Sequence, residues 1–489
     1  MKVEKLFKEI ATLAKQEKTP VYAVGGFVRD LLLDCDQKKD IDFVVEGSGL
    51  AFARALDKKL KEEGSLVEFS DFDTARYVIR SKEKGVRSND NDGEIVLEFA
   101  GARAESYHDK SRKPKVVATT LKDDLSRRDF TVNAMALPVD AIGKKTWKKL
   151  IIDEFNGQED LKNKILRTPL DPDITFSDDP LRMLRAIRFA AQLNFSIEPK
   201  TLEAIYRNRE RIKIVSAERV QEELMKLMTT NAPGNGLVLM FQTHLMDLVL
   251  PEVSALDGVE EIWGHIHKNN LIHSFKVVDN IALRSDKPLL RLAGLLHDIG
   301  KAGTKKFLPK IGWTFHAHEH LGKKLASDLM RRLRFPISDI KYVAKLVRYH
   351  QQPIALMDDG ITDSAVRRLI VNLGDQLEDL LILGVSDITT GNPTKFARRQ
   401  KNYDYLRARI DEVIEKDKLR AFQSPLRGDE IMTLAGLKPG PTVGKIKEAI
   451  EEAILEGEIP NDYEASKNYF EKIKDEYSKQ AFDWEKLTK

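Results

Sequence analysis

Two aspartates that stand two positions apart are the first residues of this sequence that could do chemistry. Asp40 and Asp42 belong to the segment DIDFVV, whose apolar residues are typical of a strand. Because side chains two apart on a strand point to the same face, both carboxylates face one way while Ile41 and Phe43 pack the other way. Carboxylates this close repel each other unless a cation lies between them. The pair therefore predicts a cation site.

A glycine pair upstream suggests what the cation would accompany. Gly25 and Gly26 follow the apolar segment VYAV and precede a helical segment that carries Arg29. Adjacent glycines let a phosphate approach the backbone, and a helix N-terminus offers free N–H groups to an anion. Mg²⁺ prefers oxygen ligands and commonly bridges carboxylates and substrate phosphates. The two features together predict a site for magnesium-bound triphosphate, whereas each one alone is also compatible with a simple turn or with solvated aspartates.

The elements that must position these residues form a small α/β head. Over the first ~150 residues, segments rich in β-branched and aromatic residues alternate with helical patterns. The predicted strands are PVYAVGG, IDFVVE, SLVEFSDF, ARYVIRS and EIVLEFAGA, and residues 1–18 predict an amphipathic helix. From DPLRMLRAIRFAAQL onward, apolar residues recur at intervals of three and four, which predicts an almost entirely helical remainder.

Composition limits the class of protein. The chain has 489 residues, of which 42% are hydrophobic and 32% charged, and its formal net charge is +3. This length predicts about three domains. The charge is too small to indicate nucleic-acid binding by itself. A single cysteine, Cys35, excludes an intramolecular disulfide and suits a reducing compartment. The sequence shows no signal-peptide pattern and no apolar run near the ~20 residues of a membrane span, so we expect a cytoplasmic protein without a membrane partner.

Further motifs follow in order: LEFAGARAESY, LSRRDFTVNAMAL, IIDEFNGQEDLKNKILRT, SDDPLRMLRAIRFAAQLNF and SAERVQEELMKLM. Together with the glycine pair and the aspartates, they resemble the class II CCA-adding enzymes and bacterial poly(A) polymerases of the polymerase β-like superfamily. The resemblance implies that Asp40 and Asp42 hold two catalytic Mg²⁺ ions, which activate the 3′-hydroxyl of RNA and neutralise the departing pyrophosphate. Glu98 matches a third metal-binding carboxylate that is usually an aspartate in this family.

The resemblance also implies the contacts to the incoming nucleotide. The glycine pair and the arginine after it would meet the triphosphate, and the RRDFTVNAMA block would position the sugar and phosphates. An aspartate that caps a helix N-terminus is the structural alternative for that block, and it is compatible with sugar binding. The residues expected at the triphosphate and sugar are Gly25, Gly26, Arg29, Arg128, Asp129 and Asn133.

The DDPLR segment matches the family element that selects the base. Asp179 and Arg182 stand three apart, and a carboxylate with a guanidinium can recognise the amine and ring nitrogen that cytosine and adenine share. An ordinary surface salt bridge is the alternative for this pair. Arg185 and Arg188 follow and are assigned to nucleotide binding. The stretch 182–213 carries eight basic and three acidic residues, a local excess that suits an RNA backbone.

Eight of the ten histidines lie between His265 and His350, which indicates a separate functional unit. The pair in LAGLLHDIGKAG and its neighbours resemble the HD superfamily of helical, metal-dependent phosphohydrolases. The resemblance implies one ligand set and two additional ligands for a second ion, and imidazole with carboxylate suits a divalent transition metal. A structural relic is the alternative. The implied ligands are His273, His297, Asp298 and Asp387, with His318 and His350 for the second ion.

One further segment, GPTVGKI, is one residue too short for a phosphate loop and follows no strand, so we interpret residues 440–446 as the turn before the helix KIKEAIEEAILEG. The expected fold is multi-domain, with a polymerase β-like α/β head followed by a mostly α-helical neck, body, HD domain and tail. The expected boundaries are 1–150 for the head, 151–255 for the neck and body, 256–400 for the HD domain and 401–489 for a tRNA-binding tail.

The leading hypothesis is a tRNA nucleotidyltransferase that adds CCA from CTP and ATP, with Mg²⁺ in the head and a transition metal in the HD domain. The nearest alternatives are a poly(A) polymerase or an enzyme that adds only A or only CC. From other classes, the chain could be an HD phosphohydrolase that uses its head to bind RNA, or an RNA-binding regulator without catalysis. An intact set of Asp40, Asp42, Arg128, Asp179 and Arg182 argues against both.

Overall fold

The chain forms two compact units, Met1–Pro251 and Glu252–Lys489, in a computed structural model. The structure describes residues 3–35, 40–61, 64–80, 94–108, 111–258, 261–262, 265–266, 269–357, 362–417 and 425–486. Among these residues, no helix has the length and apolar character needed to cross a membrane. The finer division into four domains stays a prediction.

The first unit combines a sheet with helices. Its strands are β1 (Val21–Val24), β2 (Asp40–Val45), β3 (Ser65–Phe69), β4 (Thr74–Arg80), β5 (Glu94–Gly101), β6 (Arg103–His108), β7 (Ser111–Ala118), β8 (Ala136–Pro138), β9 (Ile165–Leu166) and β10 (Ser196–Ile197). Its helices are α1 (Val3–Gln16), α2 (Gly26–Leu32), α3 (Gly49–Lys59), α4 (Leu121–Ser126), α5 (Gly157–Asn163), α6 (Pro172–Asp178), α7 (Leu181–Leu193), α8 (Pro199–Asn208), α9 (Ala217–Met228), α10 (Pro233–Gln242) and α11 (Met246–Val249).

The helix α12 (Pro251–Ser254) spans the boundary, and the second unit is mostly helical. Its short strands are β11 (Glu261–Ile262), β12 (His265–Ile266), β13 (Lys306–Leu308) and β14 (Gly312–Thr314). Its helices are α13 (Asn270–Ala282), α14 (Pro288–Leu296), α15 (Lys301–Thr304), α16 (His318–Arg332), α17 (Ile337–Tyr349), α18 (Gln352–Ala355), α19 (Asp363–Leu373), α20 (Leu377–Ser386), α21 (Pro393–Asp417), α22 (Gly428–Ala435), α23 (Pro441–Glu456) and α24 (Tyr463–Gln480).

The sheet of the head has six strands in the order β3-β4-β5-β2-β1-β8. The pair β2 and β5 is parallel and the other neighbours are antiparallel. The alternation predicted for β2 is confirmed, because Ile41 and Phe43 are buried while Asp40 and Asp42 are exposed. Phe43 stacks on Phe99 of β5 with ring centroids 4.9 Å apart. This apolar layer anchors the two central strands and leaves their polar face open.

The predicted strands and the N-terminal helix are confirmed, as is the helical character of the remainder. The interpretation of GPTVGKI as a turn was wrong, because α23 already begins at Pro441. Proline suits the first helical position, where its missing N–H has no partner to lose, so the helix starts inside the segment instead of after it.

Candidate active site and metal centre

The carboxylates of the head meet across the parallel pair of strands. The register places Asp42 directly opposite Glu98, with Asp40 two residues before Asp42 on the same face. Although Asp42 is accessible, it lies in a concave pocket, and this partial removal from water raises its pKa. Arg128 opposes the rise, whereas the charges of Glu98 and Asp40 add to it. A divalent cation among these oxygens would relieve the repulsion, so the residues present fit Mg²⁺.

A pocket of about 240 Å³ opens at these carboxylates and joins them to a set of guanidinium groups. It is lined by Asp42, Phe43, Val44, Glu98, Ala100, Asp124, Arg127, Arg128 and Arg182. The lining contains both carboxylates and arginines, which are the groups that a metal-bound triphosphate requires. Asp124, which the sequence motifs do not single out, is buried and lies 3.4 Å from Nη2 of both Arg127 and Arg128. Its spacing of three and four residues from these arginines was the available signal.

The glycine pair follows β1 and begins α2: Gly25 precedes the helix and Gly26 is its first residue. Gly25 has φ 71° and ψ −138°, a backbone conformation that favours glycine. A Cβ atom at this position would lie 2.9 Å from Nη1 of Arg128 and 3.6 Å from Oδ2 of Asp42. The missing side chain therefore lets the guanidinium and the carboxylate of the pocket approach the turn.

Arg29 is almost completely buried. It is only 1% exposed, and its guanidinium donates 2.8 Å hydrogen bonds to Oδ1 of Asp30 and to Oδ1 of Asn133. These bonds hold the side chain of Asn133, and the contact of Arg29 with a triphosphate stays a prediction.

Asp129 is the centre of a buried network. Its Oδ1 accepts hydrogen bonds from the backbone N–H of Phe130 and from Nδ2 of Asn133, at 2.8 and 2.9 Å. Its Oδ2 accepts two from Arg185, at 2.6 and 2.9 Å. Burial alone would raise the pKa of Asp129, but Arg185 and Asn133 hold it below the usual value. The block follows α4 and leads into a single 3-10 turn at Thr131–Asn133, so Asp129 does not cap an α-helix.

The pair that is predicted to select the base is held by residues far away in sequence. Asp179 accepts a 2.8 Å bond from Nη2 of Arg219 in α9 and a 3.1 Å bond from the N–H of Leu181. Arg182 donates to the backbone carbonyl of Arg127 at 2.6 Å. In the portion of the chain that is described, no ion pair joins Asp179 to Arg182, so the simple salt-bridge alternative does not apply.

Arg188 lies deeper than Arg182 on α7. Its Nε is 2.6 Å from Oε2 of the buried Glu223, and it stacks on the ring of Phe189 at 3.9 Å from the centroid. Arg185 also faces Glu223, at 3.7 Å. Glu223, which the motif comparison did not single out, therefore holds the arginines of this helix from behind.

A second cluster of ionisable side chains lies in the second unit. Its members come from α13 and α16 and from the C-terminal ends of α14, α17 and α20. The structure brings together all six residues predicted as ligands, which are His273, His297, Asp298, His318, His350 and Asp387.

Asp298 is the shared member of two ligand groups. Its Oδ2 lies 3.2 Å from Nε2 of His297 and 3.6 Å from Nε2 of His273. The same nitrogen of His273 lies 2.9 Å from Oδ1 of Asp387. Oδ1 of Asp298 lies 3.4 Å from Nε2 of His318, with His350 at 3.6 Å. One carboxylate thus faces two sets of imidazoles, an arrangement that can hold two ions.

The other ring nitrogen of each histidine is already engaged. Nδ1 of His297, His318 and His350 each lies 2.8 Å from the backbone carbonyl three residues earlier, and Nδ1 of His273 lies 2.9 Å from Oγ1 of Thr389. The Nε2 atoms face one another in pairs at 3.3 and 3.4 Å. When Nδ1 carries the proton, each Nε2 is an acceptor, and two acceptors that face each other repel. Either a cation lies between the two Nε2 atoms of a pair, or one of the two rings is protonated.

Electrostatics at the cluster agree with this need for positive charge. Burial alone would lower the pKa of His297, but Asp298 and Asp387 outweigh it and raise this pKa to about 10. Burial and the neighbouring charge of His297 lower the pKa of His350 to about 4. Lys301, which the sequence comparison did not single out, lies 2.6 Å from Asp298. The donor set of imidazoles and carboxylates fits divalent transition metals.

Comparison with known proteins connects both sites to described families. Residues 21–167 match the Poly A polymerase head domain, residues 194–256 the probable RNA and SrmB-binding site of polymerase A, and residues 270–387 the HD domain. The fold resembles a crystal structure of the Bacillus stearothermophilus CCA-adding enzyme in complex with CTP, with a TM-score of 0.66 and 21% identity over 98% of this chain and 100% of that one.

Curated relatives cover most of the chain. The chain is 33% identical to the CC-adding tRNA nucleotidyltransferase of Thermus thermophilus, over 91% of this chain and 92% of that protein. It is 32% identical to the A-adding tRNA nucleotidyltransferase of Deinococcus radiodurans, over 79% and 92%. It is 34% identical to the multifunctional CCA protein of Aliivibrio salmonicida, over 68% and 74%. At this identity and coverage, the chain belongs to the tRNA nucleotidyltransferase family that includes CC-adding, A-adding and CCA-adding members.

Proposed function

We propose that this nucleotidyltransferase adds the complete CCA sequence to the 3′ end of tRNA, using CTP and ATP. The observation that carries the proposal is the pocket that Asp42 and Glu98 line together with Arg127, Arg128 and Arg182. Carboxylates and guanidinium groups in one pocket suit a metal-bound nucleoside triphosphate. A cytoplasmic location is part of the same proposal, because tRNA is the proposed substrate.

Asp40 and Asp42, with Glu98 beside them, would hold Mg²⁺. The bound metal supplies activation of the RNA 3′-hydroxyl and charge neutralisation at the pyrophosphate. Arg127 and Arg128, which line the same pocket, would bind the triphosphate, and Gly25 and Gly26 would give the phosphates access to the backbone. These roles rest on the shared pocket and on the family resemblance.

The sugar and the base are positioned by two further groups. The sugar would lie beside Asn133, whose orientation is fixed by Asp129 and Arg29 through 2.9 and 2.8 Å hydrogen bonds. Asp179 accepts from the exocyclic amine of cytosine or adenine, while Arg182 donates to the adjacent ring nitrogen. Guanine and uracil present the opposite polarity at these edges and are rejected.

The RNA backbone would contact the exposed basic residues after α7. Arg188 is buried and bonded to Glu223, so it supports the nucleotide site and leaves RNA contact to others. Arg209 lies 4.2 Å from the exposed ring of Tyr206, and Arg211 is also on the surface. Cations beside an exposed aromatic ring are typical of surfaces that bind phosphate and base together.

The proposal is tested by incubating the purified protein with a tRNA transcript that lacks CCA, with each nucleotide separately and with mixtures of them. CTP alone should add two residues, and CTP with ATP should complete CCA. An A-adding enzyme would extend only a transcript that ends in CC, a CC-adding enzyme would stop after two residues, and a poly(A) polymerase would add a long A tract. Asp42→Ala should reduce addition by orders of magnitude while tRNA affinity is kept. Near-normal addition by this variant would contradict the assignment.

A second function is proposed for the cluster of the second unit, where the two groups of Nε2 atoms around Asp298 support a metal-dependent phosphohydrolase. Water on a divalent ion there would have a lowered pKa and could attack a phosphate ester of an RNA end. The metal content of the purified protein, with hydrolysis of a cyclic phosphate in Ni²⁺, Co²⁺, Mn²⁺ and Mg²⁺, tests this function.

The variant Asp298→Asn should lose bound metal and hydrolysis while CCA addition continues. The matched control is His320→Ala, because His320 is an exposed histidine of the same window. Absence of bound metal and of hydrolysis with every ion would leave a structural relic as the correct interpretation.

A further inference from the structure

A β-hairpin lies in the chain between two of the predicted metal ligands of the second unit. Its strands β13 and β14 are antiparallel, and they fall between Asp298 and His318. Positions 299–317 contain four lysines, one histidine and three aromatic residues but no aspartate or glutamate. The next acidic residue, Glu319, lies 3.7 Å from Nη1 of Arg348. The hairpin is therefore a basic and aromatic element beside a cluster of carboxylates and imidazoles.

Both ends of the hairpin are attached to that cluster. Before β13, Nζ of Lys301 lies 2.6 Å from Oδ2 of Asp298 and 5.6 Å from the centroid of the Phe315 ring. After β14, the backbone carbonyl of Phe315 lies 2.8 Å from Nδ1 of His318. Gly300 lets the two ends approach each other, because a Cβ atom there would clash with the carbonyl of His318. A molecule that lies on the hairpin beside Phe315 is thus next to the cluster.

One face of the hairpin combines aromatic rings with an ammonium group. The register pairs Phe307 with Trp313, and their rings meet edge to face with centroids 5.2 Å apart. Phe315 follows Trp313 by two positions and continues the alternation of the strand on the same face. Nζ of Lys305 lies 4.5 Å from the centroid of the Trp313 ring. All three rings are only partly buried, so this face remains accessible to a ligand.

The chemistry of this face favours nucleic acid over protein as its ligand. Partly exposed aromatic rings beside cations are typical of sites for single strands, where bases stack on the rings and the cations attract phosphates. Lysine, in contrast, is depleted at protein–protein interfaces. The absence of acidic residues from positions 299–317 fits a ligand that carries negative charge along its length.

We propose that this face of the hairpin binds the last unpaired nucleotides of an RNA strand and so places the terminal phosphate at the cluster. Trp313 and Phe315 stack on the bases, and Lys305 attracts the phosphate between them. The inference rests on the proposed phosphohydrolase function and deepens it, because it makes nucleobases beside the reacting phosphate a requirement. A phosphate ester without a base would then be a poor substrate.

The first test measures binding and needs no catalysis. A ribotrinucleotide with a 3′-phosphate is titrated into the full chain without added metal or nucleoside triphosphate. Stacking on Trp313 should quench a part of the tryptophan fluorescence that is missing in Trp313→Phe. Trp313→Leu should raise the Kd roughly tenfold, whereas Trp313→Phe, which keeps an aromatic ring, should leave it within about twofold. An oligoglutamate of equal charge is the control ligand and should cause no such quenching.

A pair of neighbouring lysines supplies a matched control for charge. Lys305→Ala should weaken binding of the trinucleotide about threefold, because its ammonium lies over Trp313. Lys306 is exposed and is the next residue along the strand, so its side chain points to the other face. Lys306→Ala removes the same charge and should bind within about 1.5-fold of the wild type.

The second test compares two cyclic phosphates as substrates, one at the 3′ end of a ribotrinucleotide and one on glycerol. In both, water attacks phosphorus and one P–O bond of the ring breaks, which leaves a phosphomonoester and a hydroxyl group. Trp313→Leu should raise the KM for the trinucleotide roughly tenfold with a similar kcat, and it should leave hydrolysis of the glycerol ester and the bound metal unchanged.

Equal losses with both substrates would overturn the stacking role, because they would indicate general damage to the cluster. Quenching that persists in Trp313→Phe, equal quenching by oligoglutamate, or an equal effect of Lys306→Ala would overturn it as well. Binding that depends on Trp313 in a protein without hydrolysis would refute the phosphohydrolase and leave the hairpin as an RNA site. Hydrolysis that is indifferent to Trp313 would refute the inference and leave the phosphohydrolase standing.

Discussion

Nucleotide selection should depend on Arg219, a residue forty positions away from the aspartate that it holds. Its Nη2 lies 2.8 Å from Oδ2 of Asp179, and the only other bond to that carboxylate in the described residues is the 3.1 Å contact from the N–H of Leu181. A hydrogen bond to a charged group contributes about 1.5–3 kcal/mol, and an exposed ion pair about 0.2–1 kcal/mol. Since the Arg219 side chain is 51% exposed, we expect the substitution Arg219→Ala to remove about 1 kcal/mol of the interaction that orients Asp179.

This value corresponds to about a fivefold effect. The variant should use CTP and ATP about fivefold less efficiently and UTP at an unchanged low rate, because only the correct bases need an oriented Asp179. The assay is kcat/KM for each nucleotide with one tRNA transcript, so that effects on RNA affinity cancel in the ratio.

Arg207→Ala is the matched control. Arg207 is also 51% exposed and lies 2.7 Å from a carboxylate, but its partner is Asp173. Its removal should leave the ratio of CTP to UTP use unchanged. A ratio within about twofold of wild type in Arg219→Ala, or the same decrease in Arg207→Ala, would refute the role of Arg219 in orienting Asp179.

Three further changes test other parts of the structure. Asp124→Asn weakens the hold on two pocket arginines and should raise the KM for nucleotides roughly tenfold with a smaller change in kcat, which steady-state kinetics will measure. Gly25→Ala places a side chain on a backbone with φ +71°, which costs about 1–3 kcal/mol, and brings its Cβ against the guanidinium of Arg128, so the rate of nucleotide addition should fall at least tenfold. The control Gly143→Ala, at φ +83° with open space around it, should keep its activity. Hydrogen bonds lower the pKa of Glu485 although burial alone would raise it, so its stabilisation is present above the ordinary value of 4.5 and lost as pH falls through the lowered pKa. The difference in urea stability between wild type and Glu485→Gln should therefore be largest near pH 7 and shrink in acid; a difference that grows in acid would contradict this account.

Features of the head that repeat with a short period were predictable from the sequence. The period of two in DIDFVV places Asp40 and Asp42 on one face whatever the rest of the chain does. The glycine pair between an apolar strand and a helix, and the order of the motifs after it, identified the family. The types of the candidate metal ligands in the histidine window were equally readable, because imidazole and carboxylate are donor groups that divalent transition metals accept.

Partners that are distant in sequence were decided by tertiary structure alone. The register of β2 against β5 places Glu98 opposite Asp42, and no local pattern fixes that register. The hydrogen bond from Arg29 to Asn133, 104 residues later, is likewise a product of folding that the motif around Arg29 does not predict. A sequence cannot report the direction of a long side chain when several carboxylates compete for it.

The second unit and the tail show the same division. The sequence supplied six candidate ligands, but only the packing of five helices shows that Asp298 faces both imidazole groups. In the tail, the segment GPTVGKI begins a helix whose first turn is bonded to Glu485, more than forty residues later. Local propensity determines which segments are helices and strands. Long-range hydrogen bonds and burial determine which charged groups meet. The energies of these hydrogen bonds and of burial depend on neighbours that the chain brings together only on folding.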